Sequence, residues 1–238
     1  MLNKEIPKEK LKGLELLVLD SDGVCVERGT DINERIENDR YILHIETNIL
    51  SDRLAEKIKR LSKKLSIVIC SGRKRTYLEI IYNKVIDEAF LIAENGAETF
   101  RMFNSIYSNL LEIKEEIIRK KLPIKGFEPK KYILTIHCDK EIKEIYDIVN
   151  SKDKSLKVMW NGEAFDIQQK EISKGLAVRF LFSSQKIIAI GDRINDKELL
   201  DIADVPVSAD IKQLRASYWT TGNELPGEQL VDYLLKKL

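Results

Sequence analysis

The stretch LLVLDSDGV, residues 16–24, constrains this chain most, because an apolar run of strand character ends in two carboxylates, Asp20 and Asp22, directly before Gly23. A second apolar run, in KIIAIGDRIND, ends the same way with Asp192 and Asp196. In an open α/β sheet the carboxyl ends of the strands share one edge, and ligands bind in the crevice there. Residues far apart in sequence can therefore meet at one point. Four acids gathered in this way repel one another, so the cluster calls for a divalent cation.

The rest of the chain reads as the frame such a cluster needs. Short apolar runs at 15–19, 66–70, 90–93, 186–190 and near Val205 alternate with helical patterns, which predicts a mainly parallel sheet flanked by helices. Ser51 reads as the N-cap of SDRLAEKIKRLSKKL, whose Leu54, Ile58, Leu61 and Leu65 fall on one face. The segment 25–50 is harder, mixing turn residues with an alternating run. It reads as a hairpin-like flap beside the first acidic motif, with Tyr41, Leu43 and Ile45 on one face. A flap that touches substrate and a purely structural edge hairpin are equally compatible with it.

After Asn95-Gly96-Ala97 the pattern changes. Helical stretches at 105–120 and 140–149 accompany strand-like runs at 132–137, 156–160 and 164–168, and Asn161-Gly162 between the last two is a strong hairpin signal. The expected organisation is a discontinuous catalytic core, 1–98 and 173–238, with an inserted α+β cap at 99–172. The fold class is α/β, a Rossmann-like three-layer parallel-sheet core carrying that cap.

Composition narrows the function. With 238 residues and a hydrophobic fraction of 43%, the chain can bury a sizeable core. Its 40 basic and 39 acidic residues leave a net charge of +1, which argues against a general grip on nucleic acid. No apolar run approaches the roughly 20 residues that span a bilayer. The charged first residues do not read as a signal peptide, so a cytoplasmic location is expected. Cys25, Cys70 and Cys138 have no metal-ligand spacing, suit a reducing compartment and read as buried small hydrophobes.

Four short pieces carry chemistry: Asp20-Ser21-Asp22-Gly23, Ser71-Gly72-Arg73, Lys174-Gly175 and Gly191-Asp192-Arg193-Ile194-Asn195-Asp196. Each is weak alone. Three of them directly follow an apolar strand, and together in this order the chain resembles the haloacid dehalogenase superfamily of aspartate-nucleophile phosphotransferases. IAENGA at 92–97 and ISKGLAVRFL at 172–181 look like sugar phosphatases with a large cap between the second and third motifs. The long interval from Ser71 to Lys174 has room for that cap.

The resemblance implies a phosphomonoester hydrolase in which Asp20 is the nucleophile, forming an aspartyl-phosphate, and Asp22 the general acid and base. It implies that Ser71, through its hydroxyl and backbone N–H, binds the phosphoryl group with Gly72 and Asn195, and that Lys174 supplies a point charge to it. It implies Mg²⁺ held by the Asp20 carboxylate, the Asp22 backbone carbonyl and Asp192, with Asp196 acting through water. Gly23 would leave space for phosphate. Arg73 is open between ion pairing at a helix start and substrate contact.

The cap points to the substrate. Residues 128–137, followed by NGEAFDI and SKG, resemble the cap of trehalose-phosphate phosphatases, although Cys138 and Asp139 stand where that family has an aromatic residue and an arginine. The last acidic motif looks more like Cof-type, sucrose-phosphate and mannosylphosphoglycerate phosphatases. The expected partner is a small phosphate ester, a sugar phosphate or related polyol, with Lys130, Lys131, His137, Trp160 and Asn161 as candidates for touching it. A sugar phosphomutase of the same superfamily is the alternative enzyme. A binding protein that merely retains the fold would be expected to have lost some of these charged residues, and a receiver domain would need neither a cap nor Asp22.

Overall fold

The computed structural model describes residues 1–37, 40–100 and 104–238, with the side chains at 32–37, 41, 43 and 104–108 outside that description. In chain order the strands are β1 Leu16–Leu19, β2 Asp31–Glu37, β3 Arg40–Glu46, β4 Ser66–Cys70, β5 Ala89–Ile92, β6 Gly126–Glu128, β7 Leu134–His137, β8 Leu156–Trp160, β9 Ala164–Gln169, β10 Ile187–Gly191, β11 Val205–Ser208 and β12 Tyr218–Trp219. The chain divides into two compact units: Met1–Arg28, Asn48–Gly96 and Ser173–Leu238 form the first, Gly29–Thr47 and Ala97–Ile172 the second.

The first unit is built on a six-stranded sheet of order β12-β11-β10-β1-β4-β5, parallel throughout. All four residues of β1 and all five of β10 are buried, as expected of strands covered on both faces. Leu17 and Leu19, Ile67 and Ile69, Ile188 and Ile190 join one core with the helices Asp52–Ser62 and Pro226–Lys237. The Ser51 hydroxyl accepts the Leu54 N–H at 3.2 Å, capping the first of these helices, whose Leu54, Ile58 and Leu61 are buried as the spacing predicts. The helices Lys174–Leu181 and Lys197–Ile202 lie close together because residue 175 is glycine: a Cβ there would stand 2.2 Å from the Glu198 carbonyl oxygen. Register fixes the site. Leu19 pairs with both Ile190 and Ile69, so Asp20, Asp192 and Ser71 emerge at the same edge of the sheet.

The second unit has an antiparallel sheet of order β6-β7-β9-β8. Leu134, Ile136, Phe165 and Ile167 face Ile113 and Ile117 of helix Asn104–Arg119 and Ile145, Ile148 and Val149 of helix Lys143–Lys152. The alternate positions Thr135, His137, Asp166 and Gln168 are polar yet buried. Gly162 takes φ +99° in the β8–β9 turn, and the Asn161 carboxamide oxygen accepts the Glu163 and Ala164 N–H groups.

β2 and β3 form the antiparallel hairpin expected in the flap. It belongs to the second unit, with β2 lying against β6, and not to the span 1–98 in which sequence reading placed it. Tyr41 and Leu43 lie outside the described side chains; Ile45 is half-buried. Strands β6 and β12, of three and two residues, were not anticipated, being too short to show a pattern. Among the described residues no helix is long and apolar enough to cross a membrane.

Candidate active site

The site is assembled from residues that immediately follow strands. Asp20 leaves β1 with its N–H still bonded to the Ile190 carbonyl at 3.1 Å, so its side chain is delivered by the sheet itself. Asp192 follows β10, and Asp196 lies in the turn Ile194–Asp196. Carboxylate oxygens of Asp20, Asp192 and Asp196 lie within 4.8 Å of one another, and all three residues are buried.

Lys174 is the first residue of helix Lys174–Leu181, whose N-terminus is capped by the Ser173 hydroxyl accepting Leu176 N–H at 3.1 Å. Its side chain is wholly buried and its Nζ donates to Asp20 Oδ1 at 2.6 Å and Asp196 Oδ1 at 2.5 Å. Asp196 Oδ2 accepts the backbone N–H groups of Asp192 at 3.0 Å and Arg193 at 3.2 Å. Gly191 makes this arrangement possible, since a Cβ there would fall 2.4 Å from that of Asp196.

Two arginines hold the remaining acids. Arg28 grips Asp192 with Nη2 at 2.8 Å from Oδ1 and 2.6 Å from Oδ2, and Nε at 3.2 Å from Oδ2. Arg73 grips Asp22 with Nε at 2.8 Å from Oδ2 and Nη2 at 2.5 Å from Oδ1. The Asp22 carboxylate is thus tied to the second motif and is not one of the three clustered acids. Ser71 is buried, and its hydroxyl accepts the Arg73 N–H at 3.2 Å.

Electrostatics follow from the burial. Desolvation, then the charge of Asp196, pushes the Asp20 carboxyl up to about 8 against the pull of Lys174. Desolvation also raises the Asp192 carboxyl, with Arg28 opposing. Lys174 is the reverse case: burial would lower it, but Asp196 and Asp20 together raise it, so it stays an ammonium. Three carboxylates thus lie against Lys174 and Arg28, with Arg193 Nε a further 4.0 Å from Asp192 Oδ2.

Several expectations need correction. The Ser71 backbone N–H donates to the Ile92 carbonyl at 2.9 Å, so of its two expected donors only the hydroxyl is left for a ligand. The space beside Gly23, at φ +81°, is filled: a Cβ would meet Asp192 Oδ2 at 2.5 Å and Arg28 Nε at 2.8 Å. Trp160 is half-buried and packs against the core of the second unit, its ring tilted 42° to Phe165 at 4.7 Å between centroids. Lys131 is exposed, its Nζ 5.2 Å from the Tyr132 ring centroid.

Lys130 is not on a solvated face. Its side chain is 3% exposed, its Nζ 2.8 Å from the Thr135 hydroxyl and 3.1 Å from Glu128 Oε2, which is itself 3.2 Å from His137 Nε2. Gly72 and Asn195 are half-buried. The three cysteines are buried and unpaired with one another, and burial raises their thiols, Cys138 to about 11, as befits inert packing groups. Arg28 was missed by sequence reading; its only signal was a basic residue shortly after Gly23.

The model of the haloacid dehalogenase-like hydrolase family matches residues 42–120 and 105–210, more than half of the chain. A phosphoglycolate phosphatase of Sulfurisphaera tokodaii is 29% identical over 170 residues, covering 67% of this chain and 72% of that protein. Among solved structures, the C-terminal domain of the C. albicans trehalose-6-phosphate phosphatase superposes with TM-score 0.69 at 17% identity, covering 97% of this chain and 94% of that one. A Thermoplasma acidophilum crystal structure does so with TM-score 0.63 at 17% identity, covering 94% and 98%. These two likenesses are of fold. With a family match over most of its length, the chain belongs to the haloacid dehalogenase-like hydrolases and is an enzyme of that family.

Proposed function

We propose that this enzyme is a Mg²⁺-dependent phosphomonoester hydrolase acting on a sugar phosphate or related small phosphorylated metabolite through an aspartyl-phosphate on Asp20. The observation that carries the reading is the buried triad Asp20, Asp192 and Asp196 with Lys174 bonded to two of its members. Its donors are all carboxylate oxygens, a set that suits a small hard cation. The carboxylates of Asp20 and Asp192 and the Asp22 backbone carbonyl would hold Mg²⁺, with Asp196 behind them, and the ion would supply positive charge against the phosphoryl oxygens.

Asp20 attacks phosphorus through a carboxylate oxygen, forming an O–P bond as the ester P–O bond breaks. Lys174 keeps that carboxylate oriented and adds a fixed positive charge where the transferring group gathers negative charge. Asp22 gives its proton to the departing alkoxide, then takes one from the water that cleaves the acyl phosphate, regenerating Asp20. The Ser71 hydroxyl, with Gly72 and Asn195 nearby in the motifs, is assigned to the phosphoryl oxygens.

Arg73 acts through Asp22, as a positioning residue. Arg73→Gln is expected to lower kcat by about one to two orders of magnitude while KM stays within about twofold, because a mis-set acid costs rate and not binding. Arg73→Lys should recover only part of the loss, since an ammonium lacks the two-pronged geometry. Steady-state kinetics on both variants check this; a rise in KM at unchanged kcat would make Arg73 a substrate contact instead.

The sugar assignment rests on the second unit. Residues 128–137 there resemble the cap of trehalose-phosphate phosphatases, and Glu128, Lys130, Thr135, His137 and Asp166 are buried and bonded to one another. The similarity to a phosphoglycolate phosphatase supports phosphate-ester hydrolysis and adds small phosphorylated acids to the substrates worth testing. Phosphate release is measured across sugar, polyol, glycerate, glycolate and nucleotide phosphates. The highest kcat/KM is expected on a sugar or polyol phosphate, and a preference for nucleotides would reject the assignment.

A further inference from the structure

Arg28 has no part in the scheme above, yet its guanidinium lies against both oxygens of Asp192. With Asp192 it also fills the space beside Gly23, its Nε 2.8 Å from where a Gly23 Cβ would stand. Its side chain is 21% exposed while that of Asp192 is 7% exposed, so the arginine approaches from the solvent side of the cluster. Two features define what such a residue can do. An Asp192 carboxylate engaged at both oxygens cannot also present one freely to a cation. A guanidinium displaced from it, tethered beside Gly23, is a ready donor for an anion.

Charge balance gives the displacement a driving force. Around the three carboxylates stand three cations, Lys174, Arg28 and Arg193, the last with Nε 4.0 Å from Asp192 Oδ2, so a divalent cation added to the cluster brings positive charge in excess. Arg28 then becomes a dispensable counterion, and at 21% its side chain is far more exposed than that of Lys174 at 0%. We propose that Arg28 is a transferable counterion: it neutralises Asp192 until a divalent cation displaces it, and it then binds the anionic group of the substrate. The inference rests on the metal site of the proposed function, and it adds an order, cation before substrate, that the triad alone does not require.

The test titrates Mg²⁺ into full-length wild type and Arg28→Gln by calorimetry, without substrate, and then inorganic phosphate into each protein saturated with Mg²⁺. Removing the competitor should tighten Mg²⁺ binding by about tenfold, the equivalent of one charge-assisted hydrogen bond, and weaken phosphate binding by a similar factor. Arg28→Lys should fall between the two proteins in both titrations, and it serves as the readout if Arg28→Gln does not fold. Mg²⁺ affinity that is unchanged or lower in the variants, or phosphate affinity that is unchanged or higher, overturns the proposal while leaving the metal site standing. Failure of every protein to bind Mg²⁺, with phosphate release continuing in chelator, overturns the metal site and the proposal together.

Discussion

Lys174→Met is expected to lower the Tm of the cation-free protein by roughly 6–20 °C and to abolish measurable turnover. The ammonium is wholly buried and bonds two carboxylates, at 2.6 Å and 2.5 Å. Removing one member of a buried ionic group leaves the others uncompensated, which costs about 3–5 kcal/mol and in a chain of this size moves Tm by roughly 2–4 °C per kcal/mol. Met keeps the length and the apolar stem of the side chain, so the loss reports the charge and not a cavity. Added Mg²⁺ should recover a larger Tm increment in the variant than in wild type, because it replaces the missing charge. Thermal melts with and without chelator check both statements; equal melting temperatures would mean that Lys174 does not neutralise the triad.

Asp20→Asn separates stability from chemistry in the opposite sense. The amide oxygen can still accept from Lys174, and a carboxyl whose charged form burial and Asp196 disfavour is replaced by a neutral group. The variant should melt at or above the wild-type temperature. Its kcat should nevertheless fall at least about a thousandfold, since an amide cannot form the acyl phosphate. A variant that loses stability along with activity would point to a structural role for this carboxylate.

What could be read from sequence followed from the sheet. Asp20, Ser71 and Asp192 each stand one residue beyond an apolar run, and parallel strands in matched register bring such residues to one edge whatever their separation in the chain. Lys174 was legible only through the resemblance that the four pieces carry together; Lys-Gly alone is a weak signal, and the Ser173 cap and the close packing at Gly175 belong to the structure. The pairs Arg28 with Asp192 and Arg73 with Asp22 were not legible, because an arginine leaves no trace in sequence of which carboxylate it will reach. The hairpin β2–β3 was recognised as a hairpin from its alternation, but local pattern says nothing about which unit a hairpin joins; that depends on the contact of β2 with β6, a strand too short to be seen. Trp160 shows the same limit from the other side. An aromatic residue at a strand end reads equally as a ligand contact or a core residue, and Trp160 lies half-buried against the edge of the core, tilted on Phe165.

The central claim is that Asp20 forms a covalent bond to phosphorus. The most direct measurement is the mass of the Asp22→Asn variant, quenched in acid after exposure to p-nitrophenyl phosphate and Mg²⁺, because that leaving group departs without a proton while the variant can no longer activate the water that clears the intermediate. The account predicts a mass increase of one phosphoryl group, located to the peptide that contains Asp20 and absent from Asp20→Asn. Phosphate release by Asp20→Asn at the wild-type rate, or an adduct on any other residue, would contradict it.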